Sequence, residues 1–405
     1  MKGPLSGIRV LDVSRAIAGP YGAMILADLG AEVIHIEPPG GDMNRIIGLN
    51  EACHEGQSYY FMAFNRNKKS LVLDLATKTG VDTFYDLVKI SDVVWDNFRP
   101  GVMEKLGADY DTLKKINPAI VCCSVTGFGS SGPYRDRPSF DLVALAISGV
   151  MSITGEPDGP PTRPGPPMAD MMAASFAVQG VLAALYERER TGVGQMVEAN
   201  LLDACIYNLT YQIQYYFCSG IVPHRMGSGH LSLVPFRAYN TKEGYLVIGP
   251  AWPRAARTLG IEHTIDDPRF KELSDRVRNR EELDSIIEEA LAKERAEDWL
   301  EVMYVDDLPV GPVNTIDKAV VDPQITHNEM IVEMEHPLGG KIRHIGNPFK
   351  MTSVQPEYTA PPTMGQHNEE ILAGLLGYSA EKIKILREEE EKHAEELLKS
   401  LQKAL

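Results

Sequence analysis

Asp170 is the residue whose setting most invites chemistry. It stands between a Gly- and Pro-rich stretch, TGEPDGPPTRPGPP from Thr154 to Pro167, and the apolar, small-residue run MMAASFAVQGVLAAL. Pro and Gly at that density exclude helix and central strand, so the stretch is a loop and Asp170 falls at a helix start. An aspartate there has two readings. Its carboxylate can cap the helix by accepting a backbone N–H, a common role for the residue. It can also act as a nucleophile, because helix N–H groups keep it ionised while apolar neighbours leave it poorly hydrated.

Three other segments carry polar groups. Arg15 to Pro20 leads from a strand into a helix, so its backbone N–H groups are free to face an anion or a developing oxyanion. Asn97-Phe98-Arg99-Pro100-Gly101 follows another strand and offers an amide, an aromatic face and a cation, and Asn65 to Lys69 precedes a third. At the C-terminal ends of parallel strands these segments form a basic, aromatic rim suited to a nucleotide phosphate; ordinary loop polarity accounts for the same residues. The sequence has no G-x-G-x-x-G after its first strand, no Walker loop, no H-E-x-x-H, no G-x-S-x-G and no Cys/His ligand spacing. A nicotinamide enzyme and a bound metal are therefore not expected, and each of the ten histidines reads as structural or surface.

The elements that must position these residues follow from the hydrophobic pattern. Short apolar runs at Ile8 to Val13, Ala31 to Glu37, Ser70 to Leu75, Asp92 to Trp95 and Ile120 to Thr126 alternate with helical segments, which predicts an α/β fold with a parallel sheet joined by right-handed crossovers. Two long helices are expected at Asp170 to Arg190 and Glu198 to Cys218, separated by the TGVGQ turn. After Gly220 a hairpin at Val234 to Asn240 and Tyr245 to Gly249 and charged helices over about Asp267 to Val305 predict a smaller α+β domain. Strands return between His336 and Met351, and the chain closes on a charged amphipathic helix that reads as a solvated face or a partner-binding tail.

Composition sets outer bounds. At roughly 150 residues per domain, 405 residues imply two to three domains, and 44% hydrophobic residues suffice for more than one core. Forty Lys and Arg against 56 Asp and Glu give a net charge of −16, which disfavours nucleic acid and anionic membrane as partners. A polyanionic ligand needs a local basic pocket. Five cysteines without disulfide-dense spacing suit a reducing cytoplasm. The N-terminus runs straight into a strand without a leader pattern, and no apolar run reaches the 18 or so residues of a membrane span, so a soluble protein is expected.

Seven ordered segments then narrow the reading: PLSGIRVLDVSRAIAGPYGAMILADLGAEVIHIEPPGGD, NRNKKSLVLDL, SDVVWDNFRPGVMEKLGADYDTL, INPAIVCCSVTGFGSSGPYRDRPSFD, SGVMSITGEPDGPPTRPGPPMAD, ALYERERTGVGQMVEANLLDA and DDLPVGPVNT. They span nearly the whole chain and resemble the family III coenzyme A transferases, the group that includes formyl-CoA:oxalate and carnitine CoA-transferases. The resemblance implies a Rossmann-like large domain whose parallel sheet is built from both chain ends (residues 1–220 and 326–405), a small inserted domain (221–325) and two interlocked subunits. It places the family's nucleophilic aspartate on Asp170, which would form aspartyl anhydride and aspartyl-CoA thioester intermediates. Ile17, Ala18, Gly227 and Gly229 become oxyanion donors, and Ala16, Ile17, Ala18, Leu73, Asn97, Phe98, Arg99, Lys105 and Arg137 become CoA contacts. No metal or tightly bound cofactor is implied; the partners are an acyl-CoA and a carboxylic acid.

Departures from the family pattern bear on the substrate. Pro38 stands where the family often has Arg, so Arg99 or Arg137 must replace that contact. Ile17 stands where some members have Gln, and the glycine-rich loop shrinks to Gly227-Ser228-Gly229-His230. Arg15, Arg137, Arg163, Arg225 and Arg237 are cations that can meet a second carboxylate, which favours succinyl-CoA as donor and an alkyl-, aryl- or hydroxy-succinate as acceptor. Three alternatives stand beside the transferase. An α-methylacyl-CoA racemase needs a His where this chain has Phe140, a scaffolding subunit of a heterodimer would not need Asp170, and an orphan nucleotide-binding protein would bind CoA without exchanging it.

Overall fold

The computed structural model describes residues 3–48 and 53–404. Six strands form one parallel sheet: β1 (Arg9–Asp12), β2 (Glu32–Glu37), β3 (Lys68–Val72), β4 (Val93–Asp96), β5 (Val121–Thr126) and β6 (Met196–Asn200), in the spatial order β3-β2-β1-β4-β5-β6. Val10 of β1 pairs with Val33 of β2 on one side and Val93 of β4 on the other. The order reverses between β1 and β4. That reversal opens a crevice at the carboxyl ends of the two strands, the place where such sheets bind ligands.

The central strands are apolar on both faces because helices cover both. Val10, Leu11, Val93, Val94 and Trp95 are buried. Helix α1 (Ala18–Asp28) lies against them, with the Trp95 indole N–H donating to the Gly19 carbonyl at 2.9 Å. A side chain at Gly22 would meet the Trp95 ring at 2.3 Å, so the close approach of α1 to β4 requires glycine there.

Two expectations about the strands need correction. The segment from Glu198 is not helical at its start: Met196–Asn200 is the sixth strand, and the helical stretch behind it divides into Leu201–Asn208 and Thr210–Ser219. This strand is an edge, half-exposed and carrying Glu198 and Asn200, so it lacks the apolar run that marks its neighbours. The strands near the C-terminus, in turn, do not extend the parallel sheet. Among the described residues Ile331–His336 and Gly340–Ile345 pair only with each other, antiparallel, and all six parallel strands come from the first 200 residues. The hairpin is tied down by Arg66, which donates to the Ile345 carbonyl and pairs with Asp28.

Compactness divides the chain into one unit of residues 1–148, 165–209 and 329–405 and a second of 149–164 and 210–328. The first differs from the expected large domain by giving up the loop that precedes Gly165 and the helix Thr210–Ser219. The second holds the antiparallel strands Arg237–Asn240, Tyr245–Ile248 and Val310–Pro312 over a core that includes Tyr239, Leu246, Phe270, Ile287 and Met303.

Helix α2 (Asp141–Ile147) and the 24-residue α3 (Met168–Thr191) complete the first unit around the nucleophile candidate. An 18-residue window of α3 reaches a mean hydropathy of 1.5, long and apolar enough to cross a membrane by length and composition. The expectation that no stretch reaches span length therefore fails. The cause is its alanine face: Ala169, Ala173, Ala177, Val181 and Ala184 recur every three or four residues and are buried against α1, β5 and β6.

Candidate active site

The crevice between β1 and β4 is built by backbone held in unusual shapes. Ala16, between β1 and α1, sits at φ +60°, a left-handed conformation that costs a residue with a Cβ roughly 1–2 kcal/mol. Neighbouring side chains hold it there. The Asn97 amide accepts from the Arg15 N–H at 2.8 Å and donates to the Arg15 carbonyl at 2.7 Å; the buried Asn44 amide donates to the Ala16 carbonyl at 2.6 Å. The turn delivers the first N–H groups of α1, those of Ile17, Ala18 and Gly19, which have no intrahelical acceptor.

Beneath this turn lies a buried ion network. Asp12 accepts from Lys68 Nζ at 2.9 Å, and His35 lies between Asp12 at 3.1 Å and Asp42 at 3.3 Å. Burial pushes the Asp12 carboxyl up, and the Lys68 and His35 charges more than reverse this, leaving it far below the usual range. Burial likewise opposes the charge on His35, but Asp12 and Asp42 raise its pKa to about 9, so it is an imidazolium at neutral pH.

Over the strand ends, a cavity of about 140 Å³ is lined by Val13, Arg15, Pro38, Leu73, Asp74 and Phe98, among others. The Arg15 guanidinium lies 5.2 Å from the Phe98 ring centre. A second cavity of about 70 Å³ shares Phe98 and is also lined by Asn97, Arg99 and Arg137, the last of which stacks on Tyr134 at 3.7 Å. Of the sequence candidates, Leu73 and Phe98 line the first cavity and Phe98, Arg99 and Arg137 the second, while Ala16, Ile17 and Ala18 stand in the turn that follows Arg15, a residue of the first cavity's wall. Asn97 is there as well, but both ends of its amide are spent on Arg15, so its side chain supports the turn instead of facing a ligand. Lys105 is exposed on the short helix Val102–Lys105 and lines neither cavity. A cavity of about 320 Å³, lined by Asp96 among others, adjoins the second and shares Arg99, Pro100, Thr126 and Arg135 with it, whereas one of about 770 Å³ lies elsewhere in this unit, so volume alone does not select the site.

Asp170 is the third residue of α3. The helix N-cap is Pro167, and the cap bond comes from another helix: the Ala169 N–H donates to Asp141 Oδ1 at 2.8 Å. Asp170 is therefore not the N-cap residue; it stands partly exposed in the first turn, where the helix dipole favours a carboxylate. Cys205 is the nearby alternative nucleophile. Burial raises its thiol pKa; Ser148 opposes this, and the Asp141 and Asp170 charges add to it, so the thiolate is disfavoured.

In the second unit, Gly227 and Gly229 do not offer free donors. The Gly227 N–H donates to the Gly155 carbonyl at 2.9 Å and that of Gly229 to the Met226 carbonyl at 2.8 Å. Among the described residues no group of three or more His, Cys, Asp or Glu side chains is placed to hold a metal ion.

The sequence model of CoA-transferase family III matches residues 5–368. The chain belongs to that family. It is 39% identical over 385 residues to a Mus musculus protein named succinyl-CoA:glutarate CoA-transferase, covering 93% of this chain and 87% of that one. It is 37% identical over 384 residues to the succinate–glutarate CoA-transferase of Agrobacterium fabrum, covering 92% and 96%. Among solved structures, a CAIB/BAIF family protein from Brucella suis superposes with a TM-score of 0.84 at 34% identity, over 93% of this chain and 100% of that one.

The reaction class of this transferase is therefore CoA transfer between acids. At Ser139-Phe140-Asp141, where a racemase would carry its histidine, Phe140 is 72% exposed and Asp141 holds the start of α3. Sequence reasoning missed Asn44, Asp141 and the buried Asp96. Asp141 carried a signal, since an Asp at the first residue of a short apolar helix is a common helix-start choice. That it reaches a different helix depends on a contact 28 residues away, which no local pattern encodes.

Proposed function

We propose that this transferase moves CoA from succinyl-CoA to a dicarboxylic acid, with Asp170 as nucleophile. Asp170 attacks the donor thioester carbonyl, giving an aspartyl anhydride and CoA thiolate. The thiolate attacks the aspartyl carbonyl, forming an aspartyl-CoA thioester and releasing the donor acid. The acceptor carboxylate then displaces the thiolate to form a second anhydride, which the thiolate opens at the acceptor's acyl carbon, restoring Asp170 and delivering the new acyl-CoA. A thioester replaces a thioester, so the exchange needs no external energy source. The first N–H groups of α1 are suited to receive the oxyanions, and Arg15, Arg99 and Arg137 supply the basic pocket that a −16 protein needs for CoA.

The observation that carries this reading is the place of Asp170 in the first turn of α3, partly exposed, where the helix dipole favours a carboxylate. The two named relatives support the acids, both being succinate and glutarate enzymes. The test is Asp170→Asn in a succinyl-CoA exchange assay against a panel of dicarboxylates. Exchange is expected to fall by roughly 10³-fold or more, and hydroxylamine after acyl-CoA should mark Asp170 in the native protein only. A variant that still exchanges CoA ends the proposal.

We further propose the interlocked homodimer, in a cytoplasmic setting. Its support is apolar surface on the first unit: Phe140, Tyr186 and Tyr207 are each at least 70% exposed. Light scattering on the purified chain decides between one copy and two.

A further inference from the structure

The charged helix at the C-terminus, α4 (Ala380–Ala404), is left without a role by the reaction. Its apolar anchors, Ile383 and Leu386, pack into the core that also holds Leu11, Ile34 and Leu73. Three of its polar residues do something different. Arg387, Glu390 and His393, spaced by three and so on one face, all reach the exit of β3. The Arg387 guanidinium donates to the Val72 carbonyl at 3.0 Å and to Glu390 Oε2 at 2.6 Å. Glu390 Oε1 accepts from the Asp74 N–H at 3.0 Å, and His393 Nδ1 lies 2.6 Å from Asp74 Oδ2.

This latch grips the segment that forms one wall of the crevice. Leu73, Asp74, Leu75 and Ala76 line the 140 Å³ cavity opposite Phe98 and Arg15. Glu390 is 4% exposed and Asp74 8%. A helix anchored only by its apolar face could dispense with a buried carboxylate, whose desolvation is costly unless its partners are well placed. Here those partners are the Asp74 N–H of the crevice wall and the Arg387 guanidinium, which itself donates to the Val72 carbonyl.

We infer that Arg387, Glu390 and His393 are positioning residues for CoA, holding the Val72–Asp74 wall so that docking of the C-terminal helix and CoA binding stabilise each other. This rests on the reading of the crevice as the CoA site. If the helix favours the binding-competent wall, CoA must favour the docked helix by the same factor.

The test uses the full chain with Ile383 and Leu386 intact. Glu390→Ala should raise KM for succinyl-CoA about five-fold or more while leaving kcat and the KM for the acid within about two-fold. Glu390→Gln, which keeps an oxygen for the Asp74 N–H, should recover most of the loss. In the native protein, saturating CoA should slow amide exchange over residues 385–393. An unchanged KM for succinyl-CoA in Glu390→Ala, a uniform fall in every parameter, or no change in exchange on adding CoA overturns the inference. If calorimetry finds that the native protein does not bind CoA, it is the reading of the crevice that has failed.

Discussion

Two aspartates end neighbouring strands of the sheet, and the protein treats them in opposite ways. Asp12 closes β1 and Asp96 closes β4, on either side of the switch point, and they are 0% and 6% exposed. Asp12 meets Lys68 and an imidazolium. Among the described residues Asp96 meets only neutral donors, the Phe98 N–H at 3.0 Å and the Ser124 hydroxyl at 3.1 Å. Burial, with a smaller push from the Glu104 charge, outweighs the two hydrogen bonds and leaves the Asp96 carboxyl raised to about 7. Burial alone does not set the charge of a site; the partners do. On the β1–β2–β3 side the crevice floor is fixed by ions, and on the β4–β5 side it is fixed by a carboxyl that titrates near neutrality.

The largest effect should come from breaking the ionic side. Lys68→Met strands Asp12 with one partner fewer in a fully buried site, which is expected to cost about 3–5 kcal/mol in urea unfolding. A loss under 1 kcal/mol would mean that the two halves of the floor are not different in kind.

Asp96 gives the next largest effect, with the opposite sign. Its folded pKa is raised, so the folded state holds its proton more tightly between pH 4 and 7, and stability falls as pH rises through that window. Above pH 7 the accumulated penalty is on the order of 4 kcal/mol. Asp96→Asn keeps an oxygen for both donors and removes the ionisation. It should therefore be more stable than the native protein at pH 8, by up to about 3 kcal/mol, with the gain shrinking toward pH 5. Equal gains at both pH values would show that Asp96 does not titrate in this range.

The contrast was only half legible in the sequence. The strand-helix alternation, the turn at Arg15 to Pro20, the segment at Asn97 and the helix beginning near Asp170 all followed from local apolar runs and from Pro and Gly. Those signals act over a few residues, and the structure keeps them. The edge strand at Met196 was missed because a half-exposed edge has no apolar run to betray it. The ion network was missed for another reason. Asp12, His35 and Lys68 lie on three strands, 23 and 56 residues apart in pairs with Asp12, and only the sheet register brings them together. Asn97 was placed in the right crevice with the wrong task, since its type suggested ligand contact and its partner proved to be a backbone loop.

Asn44 and Asn97 allow the finest test, because they hold the strained turn from the two sides. Asn44 binds the Ala16 carbonyl from the ionic side, its own N–H resting on Asp42. Asn97 binds Arg15 twice from the other side, next to the Phe98 N–H that Asp96 holds. At about 1 kcal/mol per bond, Asn97→Ala should slow CoA exchange by roughly ten- to thirty-fold and Asn44→Ala by roughly five-fold. The pH dependence separates them. An ionised Asp96 is the stronger acceptor for the Phe98 N–H, so it should hold the weakened turn better. The Asn97→Ala deficit should then shrink between pH 6 and 8, while the Asn44→Ala deficit stays flat, because the Asp12 carboxyl remains ionised and the His35 imidazolium persists toward its pKa of about 9. Parallel deficits across that range would place the control of the turn in its hydrogen bonds alone, with no contribution from the charge state beneath it.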